Sequence, residues 1–300
     1  MEKQNRRNFL KTAGLLTAAI TGTSTKTAKA APENILSEDR YGMLVDTTTC
    51  IGCRQCEWAC KEAHNLPAGN IDDYDDRSVF INARRPDPSA LTVVNQYKPK
   101  DRRGTAYEVK IQCMHCDHPA CVSACIVGAF SKKENGSVIW DSDKCIGCRY
   151  CMVACPFQIP SFEYDKALQP EIRKCDFCYE RTSKGLLPAC AETCPVGALT
   201  YGPRSELIKI AREKIKKYPD KYFPHIYGEN EVGGTSWLYL ASEDLTKKVF
   251  PKLDVKPAPG VSESIQHGIF AYFVPPVSLY ALLAGIMWLN KKKKESEGAE

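Results

Sequence analysis

The sequence lacks the glycine motifs with which most nucleotide-binding proteins hold phosphate groups. Neither G-x-G-x-x-G nor G-x-x-x-x-G-K-[ST] occurs among the 300 residues, which argues against dinucleotide or nucleoside-triphosphate chemistry. Histidine is scarce, with five copies, and no nucleophile stands beside a general base in any recognisable pattern. These absences leave a stand-alone redox enzyme as the less favoured interpretation.

An excess of charge of one sign is also missing once the first 30 residues are set aside. The whole chain has 41 Lys and Arg against 36 Asp and Glu, a formal net charge of +5. Residues 1–30 hold six of the basic residues and one of the acidic ones, so residues 31–300 are formally neutral. Nucleic-acid binding needs a basic surface, and the sequence therefore excludes a nucleic-acid partner.

Cysteine, in contrast, is abundant, and its sixteen copies fall into four sets of four with none left over. Two of the sets follow the spacing C-x2-C-x2-C-x3-C, with which bacterial ferredoxins hold [4Fe–4S] clusters. The sequence therefore predicts four such clusters and a role in moving electrons. The sets are Cys50, Cys53, Cys56 and Cys60; Cys113, Cys116, Cys121 and Cys125; Cys145, Cys148, Cys151 and Cys155; and Cys175, Cys178, Cys190 and Cys194.

Three other uses of so many cysteines fit the spacing less well. Eight disulfides would not need a repeated i, i+3, i+6, i+10 pattern. Zinc ribbons place two C-x2-C pairs on either side of a longer loop, which only the fourth set resembles. A redox-active dithiol needs one C-x2-C motif and not a tandem array. The pattern favours iron–sulfur clusters over all three.

The four sets belong to two alternating types, because two segments of the chain are internally repeated. Residues 46–60 align with residues 141–155 at an offset of 95, and share Ile, Gly, Arg and Ala besides the cysteines. Residues 119–129 align with residues 188–198 at an offset of 69. The repeats predict an α+β fold made of two bacterial-ferredoxin-like units.

The inner unit is expected at about residues 105–165 and the outer unit around it. Asn135-Gly136 lies between two apolar runs and predicts a β-hairpin between the second and third sets. Met43 to Val45, before the first set, and Ala198 to Tyr201, after the fourth, are predicted to supply the matching strands of the outer unit. Together the two units form a four-cluster domain over residues 31–252.

In two-cluster ferredoxins the fourth cysteine of one motif ligates the cluster of the other motif. The same exchange predicts that each cluster in this chain takes three ligands from one set and one from its partner set. The predicted ligand sets are Cys50, Cys53, Cys56 and Cys194 for cluster 1; Cys60, Cys175, Cys178 and Cys190 for cluster 2; Cys113, Cys116, Cys121 and Cys155 for cluster 3; and Cys125, Cys145, Cys148 and Cys151 for cluster 4.

The N-terminus has the pattern of an export signal. Arg6-Arg7 is followed by a weakly apolar stretch from Ala13 to Ile20 and by the small-residue site Ala28-Lys29-Ala30. This order is typical of a twin-arginine signal, here residues 1–30, with cleavage after Ala30. A basic amphipathic helix is the alternative, but the stretch has no apolar face. The twin-arginine (Tat) route would suit a protein that receives its clusters before export.

The C-terminal region predicts a membrane anchor. Residues 269–289 carry no charge and are long enough for one transmembrane helix, interrupted by Pro275-Pro276. Lys291 to Lys294 follow directly and predict a cytoplasmic tail at residues 290–300. Residues 253–268 would be the linker. A buried core helix is the alternative interpretation of the apolar run.

Two other segments outside the cysteine sets allow local predictions. The stretch from Asn65 to Gly104 is rich in Pro, Asp and Arg and is predicted to be surface loop, with one strand at Ser78 to Asn82. Ser205 to Lys217 is predicted to be a helix, with Ser205 as N-cap and Leu207, Ile208 and Ala211 on one face.

These features resemble the iron–sulfur (beta) subunits of exported, membrane-bound oxidoreductases. Residues 222–229, 233–235 and 262–267 are most similar to the hydrogenase-2 type, whereas the 11-residue gap between Cys178 and Cys190 is more similar to the formate dehydrogenase type. Two departures are Ile126 after Cys125, where this family usually has proline, and Lys61 after Cys60.

The resemblance implies a function as an electron-transfer subunit. Such a subunit would relay electrons between an exported catalytic subunit and an integral membrane subunit that reacts with quinone or carries cytochrome b. A NiFe hydrogenase is the favoured catalytic partner, and a formate dehydrogenase or related molybdopterin oxidoreductase is the alternative. The implied location is the inner membrane, with the cluster domain periplasmic.

Two histidines are candidates for supporting roles. His115 lies inside the second cysteine set, where cysteine already supplies every ligand, and is predicted to tune a potential through hydrogen bonding. His267 lies at the expected membrane edge and is interpreted as an ordinary interfacial residue in preference to a quinone contact.

Overall fold

The computed structural model describes residues 40–98, 106–260 and 279–289. The predicted signal at residues 1–30, the first half of the predicted span and the tail at residues 290–300 lie outside these ranges. Residues 279–289 are helical. In the ranges described, no helix is both long and apolar enough to cross a membrane.

Within residues 40–98 and 106–260, nine strands and six helices form the body, joined by loops and short 3-10 turns. The strands are β1 (Tyr41–Asp46), β2 (Val93–Tyr97), β3 (Tyr107–Ile111), β4 (Phe130–Lys132), β5 (Val138–Trp140), β6 (Ser161–Phe162), β7 (Ile172–Arg173), β8 (Leu199–Pro203) and β9 (Trp237–Leu240). The helices are α1 (Gln55–Ala63), α2 (Ala120–Ser123), α3 (Tyr150–Ala154), α4 (Tyr179–Thr182), α5 (Ala189–Glu192) and α6 (Arg204–Lys217).

A three-stranded sheet in the order β8-β1-β9 carries the outer unit. Strand β1 pairs with β8 in the antiparallel sense and with β9 in the parallel sense. The predicted pairing of the segments before the first set and after the fourth is thereby confirmed. The sequence did not predict strand β9, whose four residues are all buried.

The inner unit contains the predicted hairpin, in which β4 pairs with β5. Gly136 makes the turn with a φ of +90°, and a Cβ there would lie 2.7 Å from the backbone oxygen of Tyr41. Glycine is therefore required for both the backbone angle and the close approach. The hairpin turn touches the first strand of the outer unit.

The two units share one strand register. Val45 pairs with Leu199 in the outer unit, and Trp140 pairs with Phe130 in the inner unit. Trp140 lies 95 residues after Val45, and Phe130 lies 69 residues before Leu199. The two pairs therefore occupy the same position in the two repeats. The next backbone bond is repeated as well, because the Asp46 amide donates to Ala198 O at 2.9 Å and its counterpart in the hairpin has a length of 2.8 Å. The two units are thus structural repeats.

The insertion after the first set differs from its prediction. Residues 78–81 belong to a 3-10 helix, Arg77–Ile81, and not to a strand. Asp76 caps this turn by accepting a hydrogen bond from the Ser78 amide at 2.8 Å, a local contact that competes with strand pairing. The strand of this segment is β2, which pairs with β3 along its full length.

Helix α6 begins one residue earlier than predicted, at Arg204, with Pro203 and not Ser205 as its N-cap. The predicted apolar face is confirmed, since Leu207 and Ala211 are buried and Ile208 packs against the same cluster. Arg204 is buried, and hydrogen bonds from its guanidinium to backbone carbonyls compensate for the lost water. One of them joins Arg204 Nε and Thr235 O at 2.7 Å.

Aromatic side chains fill the space between the two repeats. Trp237 and Tyr239 of β9 are fully buried, and Phe177 contacts Trp237 at a ring-centroid distance of 5.8 Å. The hydroxyl of Tyr239 donates to the backbone oxygen of Lys110 at 2.9 Å. This core holds the loops with the cysteine sets at fixed positions.

Candidate metal centres

One cavity of the outer unit is lined by thiols from two distant parts of the chain. Cys50 and Cys53 lie in the loop before α1, Cys56 lies in its first turn, and Cys194 follows α5. Lys110 of β3 lines the same cavity. The structure thus brings together the first three cysteines of the first set and the last cysteine of the fourth.

A second cavity repeats this arrangement in the inner unit. Cys113, Cys116, Cys121 and Cys155 line it, together with Lys174. Three of these thiols come from the second set, and Cys155 is the last residue of the third. Each cavity thus brings together three thiols of one set and the last thiol of its partner set, while ligation of one cluster by all four stays a prediction.

The remaining cysteines form two more groups. Cys60, at the C-terminal end of α1, lies close enough to Cys175, Cys178 and Cys190 for their charges to interact. All four are buried.

In the same way, the charge of Cys151 interacts with those of Cys145, Cys148 and Cys125. Cys148 is exposed, and it is the only exposed cysteine of the sixteen. None of the sixteen, all of which lie in the described ranges, forms a disulfide.

The raised pKa values of these thiols show that the sites need a positive charge if they are to hold thiolates. Burial, and then the charges of Glu108 and of neighbouring thiols, raises the pKa of Cys50 to about 11. Burial also raises the pKa of Cys121 to about 12. Four thiolates held this close repel one another and have lost their water. Bound iron ions would supply the missing positive charge and displace the thiol protons, so the donor sets fit iron–sulfur clusters with four cysteine ligands each.

Tight left-handed turns shape the loops that carry the thiols. Gly52 and Gly147 have φ values of +69° and +70°, and a Cβ on Gly52 would lie 2.7 Å from Glu108 Cγ. Arg54 and Arg149, also left-handed, are the N-caps of α1 and α3. The repeated turn brings three cysteines of each C-x2-C-x2-C run to one side of the loop.

Backbone amides in these loops point at sulfur. The Ala129 amide donates to Cys125 Sγ at 3.1 Å, and the Gly147 amide donates to Cys145 Sγ at 3.4 Å. Hydrogen bonds of this kind stabilise thiolate ligands and raise the reduction potential of a cluster.

His115 is fully buried, as its place inside the second set suggested. Its Nδ1 accepts a hydrogen bond from the Val138 amide at 2.8 Å, and among the described residues its Nε2 has no partner. Burial and then the charge of Lys174 hold the pKa of His115 well below its usual range. The ring is therefore neutral with its proton on Nε2, while its effect on a potential stays a prediction. His267 lies outside the described residues.

A second histidine of interest was missed in the sequence. His64 follows α1, and its Nε2 lies 2.8 Å from Asp176 Oδ1, beside Cys60 and Cys178. Although burial alone would lower it, the hydrogen bond with Asp176 raises the pKa of His64 to about 11. In the sequence, the only signal for a role of His64 is its position four residues after Cys60. Its partner Asp176 is 112 residues away, so the pairing could not be predicted.

The fold and the four thiol groups together define the class of dicluster ferredoxin-type proteins, here with two dicluster units. Residues 49–129 and residues 106–204 each match a family described as "4Fe-4S dicluster domain".

Three relatives of known name share this class. The hydrogenase-2 operon protein HybA of Escherichia coli O157:H7 is 36% identical, over 99% of this chain and 98% of its own length. The B subunit of the anaerobic dimethyl sulfoxide reductase of Escherichia coli is 37% identical over 57% of this chain and 77% of its own length. The iron–sulfur subunit of the nitrate-inducible formate dehydrogenase of Escherichia coli is 32% identical over 75% of this chain and 76% of its own length.

This protein belongs to the HybA family of iron–sulfur proteins. Its membership confirms the predicted resemblance and the predicted function as an electron-transfer iron–sulfur subunit. It also confirms [4Fe–4S] clusters as the cofactor, and sixteen cysteines fit four of them.

Proposed function

We propose that this chain is the electron-relay subunit of a hydrogenase complex at the inner membrane. Clusters bound at its four thiol groups would accept and pass on single electrons. The ligand sets are those predicted from the exchange rule, with cluster 1 and cluster 2 in the outer unit and cluster 3 and cluster 4 in the inner unit.

The observation that carries the proposal is that each thiol group has a cysteine close enough to a cysteine of the next group for their charges to interact. Charge interactions connect Cys56 of the first group with Cys190 of the second, and Cys175 of the second with Cys113 of the third. Cys121 of the third group interacts in turn with Cys151 of the fourth. A chain of neighbouring sites supports a relay of electrons from one group to the next.

The two ends of this series differ in how they meet the surface. In the outer unit, the insertion packs beside the first group, where the Arg54 guanidinium donates to Tyr74 O at 3.0 Å. In the inner unit no insertion follows the third cysteine set, Cys148 is exposed, and Val153 has 80% of its surface exposed. The open apolar surface supports the fourth group as an end of the relay that a partner subunit covers.

A hydrogenase is favoured as the catalytic partner because the match with HybA spans nearly the full length of both chains. The matches with the reductase and formate dehydrogenase subunits cover 57% and 75% of this chain. The Cys178 to Cys190 gap supports the formate dehydrogenase type as the second candidate. The remaining partner in the proposal is an integral membrane subunit that reacts with quinone or carries cytochrome b.

Deletion of the gene tests the choice between these enzymes. We expect membranes of the deletion strain to lose hydrogen-dependent quinone reduction, because no other site would connect the two reactions. Dye-linked hydrogen oxidation should persist in the same preparation, and restoring the gene should restore quinone reduction. Loss of formate-dependent quinone reduction alone would reject the hydrogenase and favour the alternative.

The proposed location is periplasmic, with export by the Tat pathway and a C-terminal anchor at residues 269–289. We expect Arg6→Lys with Arg7→Lys to leave the folded, iron-containing protein in the cytoplasm. The pathway recognises the arginine pair as an address, and lysine keeps the charge without the guanidinium. Cell fractionation measures the outcome.

The matched control for export is Arg102→Lys with Arg103→Lys, which changes an arginine pair outside the predicted signal. This variant should be exported normally. Periplasmic protein in the Arg6 and Arg7 variant would show that a different route exports the chain.

A further inference from the structure

Lys110 is a buried cation between the first and second thiol groups. Its side chain lines the cavity of the first group, and its charge interacts with Cys190, Cys56 and Cys175. The residue is 2% exposed. Lys110 therefore faces thiols that the proposed ligand sets assign to two different clusters.

The ammonium of Lys110 is held in one position by neutral partners. It donates to Thr92 Oγ1 at 2.6 Å and to Gln112 Oε1 at 3.1 Å, and it lies 4.6 Å from the centroid of the Trp237 ring. Within residues 40–98 and 106–260, no carboxylate lies within ion-pair distance of it. A buried ammonium without an anion is costly, so its counter-charge must come from the thiol groups beside it.

Lys174 occupies the equivalent place between the second and third groups. It is 7% exposed and lines the cavity of the third group. Its ammonium donates to Cys175 O at 3.0 Å, and its charge interacts with Cys113 and Cys121. Ion-pair partners for Lys174 are also missing from the described part of the chain.

Lys132 shows that a buried lysine in this fold can be paired with a carboxylate. Its ammonium lies 3.7 Å from Asp117 Oδ1, and Asp117 also accepts from Arg40 Nε at 2.9 Å. Asp117 therefore balances part of the Lys132 charge, which also interacts with Cys116 and Cys113 of the third group. In the described ranges neither Lys110 nor Lys174 has a carboxylate within ion-pair distance. The charge of Asp176 also acts on Lys174, but after those of Cys113, Cys121 and Cys175.

We propose that Lys110 and Lys174 are potential-setting residues, each shared by two neighbouring clusters. Lys110 would raise the midpoint potentials of clusters 1 and 2, and Lys174 those of clusters 2 and 3. A fixed positive charge stabilises the reduced state, which is the more negative one, and in a buried site this effect is only weakly screened. The inference rests on the proposed ligand sets and relay.

The shared position has a consequence for the relay. A cation between two sites shifts both potentials in the same direction, so it keeps neighbouring clusters close in potential. Cluster 2 would face both lysines. Cluster 4 would face neither, because the strongest charge neighbours of Cys151 are the other three thiols of its own group.

The test is an anaerobic redox titration of the full-length holoprotein, followed by electron paramagnetic resonance. Lys110→Met should lower two of the four midpoints, and Lys174→Met should lower two, with one in common. The double variant should lower three and leave one unchanged. We expect each shifted cluster to change its reduced-to-oxidised ratio at least tenfold at a fixed potential, which for one electron is about 59 mV.

Three further variants separate the charge from packing. Lys110→Arg keeps the charge and should hold the midpoints near their original values. Lys110→Gln removes the charge but keeps a polar group for Thr92, and should reproduce the Lys110→Met shift. Lys209→Met removes an exposed lysine on α6 and should change no midpoint, since Lys209 is 66% exposed in its side chain.

Iron content distinguishes failure of this inference from failure of the proposed function. Unmodified protein that lacks four clusters would reject the ligand sets themselves. Four clusters with no midpoint shift in the variants, or an equal shift in all four, would overturn the inference alone. Loss of clusters in both charge-removing variants, with full loading in Lys110→Arg, would assign the lysines to cluster assembly and would also overturn it.

Discussion

Replacing Cys60 with alanine is expected to remove the cluster built on Cys175, Cys178 and Cys190, and to leave the cluster of its own set intact. Cys60 lies on α1 together with Cys56, four residues away, yet it is buried against the thiols of the fourth set. The unmodified protein should contain about sixteen iron atoms, four per cluster. Cys60→Ala and its matched control Cys56→Ala should each contain about twelve.

Double variants show which thiols share a cluster without any spectral assignment. Cys60→Ala with Cys178→Ala should still contain about twelve iron atoms, because both changes affect one cluster. Cys60→Ala with Cys56→Ala should contain about eight. The reverse result would show that each set ligates its own cluster and would reject the exchange. Stoichiometric zinc would reject iron–sulfur chemistry as a whole.

Gly228→Ala is expected to cost several kcal/mol of folding free energy and to abolish holoprotein accumulation. Gly228 has a φ of +95°, and an added Cβ would lie 2.5 Å from Thr235 Oγ1 and closer still to the backbone oxygen of Trp237. Both neighbours are fully buried. Neither can move away without disturbing β9, which pairs with β1 in the outer sheet.

The matched control for this variant is Gly185→Ala. Gly185 also has a positive φ, +75°, but a Cβ there would meet no atom within 4 Å. It should cost only the conformational penalty, about 1–2 kcal/mol. The yield of holoprotein from matched cultures, followed by thermal unfolding of whatever holoprotein accumulates, measures the difference. Equal stability would show that β9 can shift to accept the extra carbon.

The elements nearest to the cysteine sets could be predicted from the sequence because their determinants are local. Asn135-Gly136 specifies the hairpin turn, and the internal repeat located the strands that flank the first and fourth sets. The helical face of Leu207 and Ala211 followed from the spacing of apolar residues. The exchange of cysteines between sets was expected from ferredoxins, and the cavities place the expected thiols together.

Other features depend on contacts that no short segment encodes. Strand β9 reaches its place because β1 offers a free parallel edge almost 200 residues earlier in the chain. The strand predicted at Ser78 to Asn82 is a 3-10 turn because Asp76 caps it. Lys110 stands in β3 among residues that are typical of an ordinary half-exposed strand. The burial of its ammonium against Thr92, Gln112 and Trp237 is visible only in the three-dimensional structure.

The nesting of one unit inside the other imposes an order on biosynthesis. A chain emerging from the ribosome has all the proposed ligands of clusters 3 and 4 once Cys155 is out, whereas clusters 1 and 2 still lack Cys175, Cys178, Cys190 and Cys194. Strand β1 is made first but waits for β8 and β9. The outer sheet can therefore close only after the last cysteine has been translated, so the inner unit can be complete before the outer unit forms.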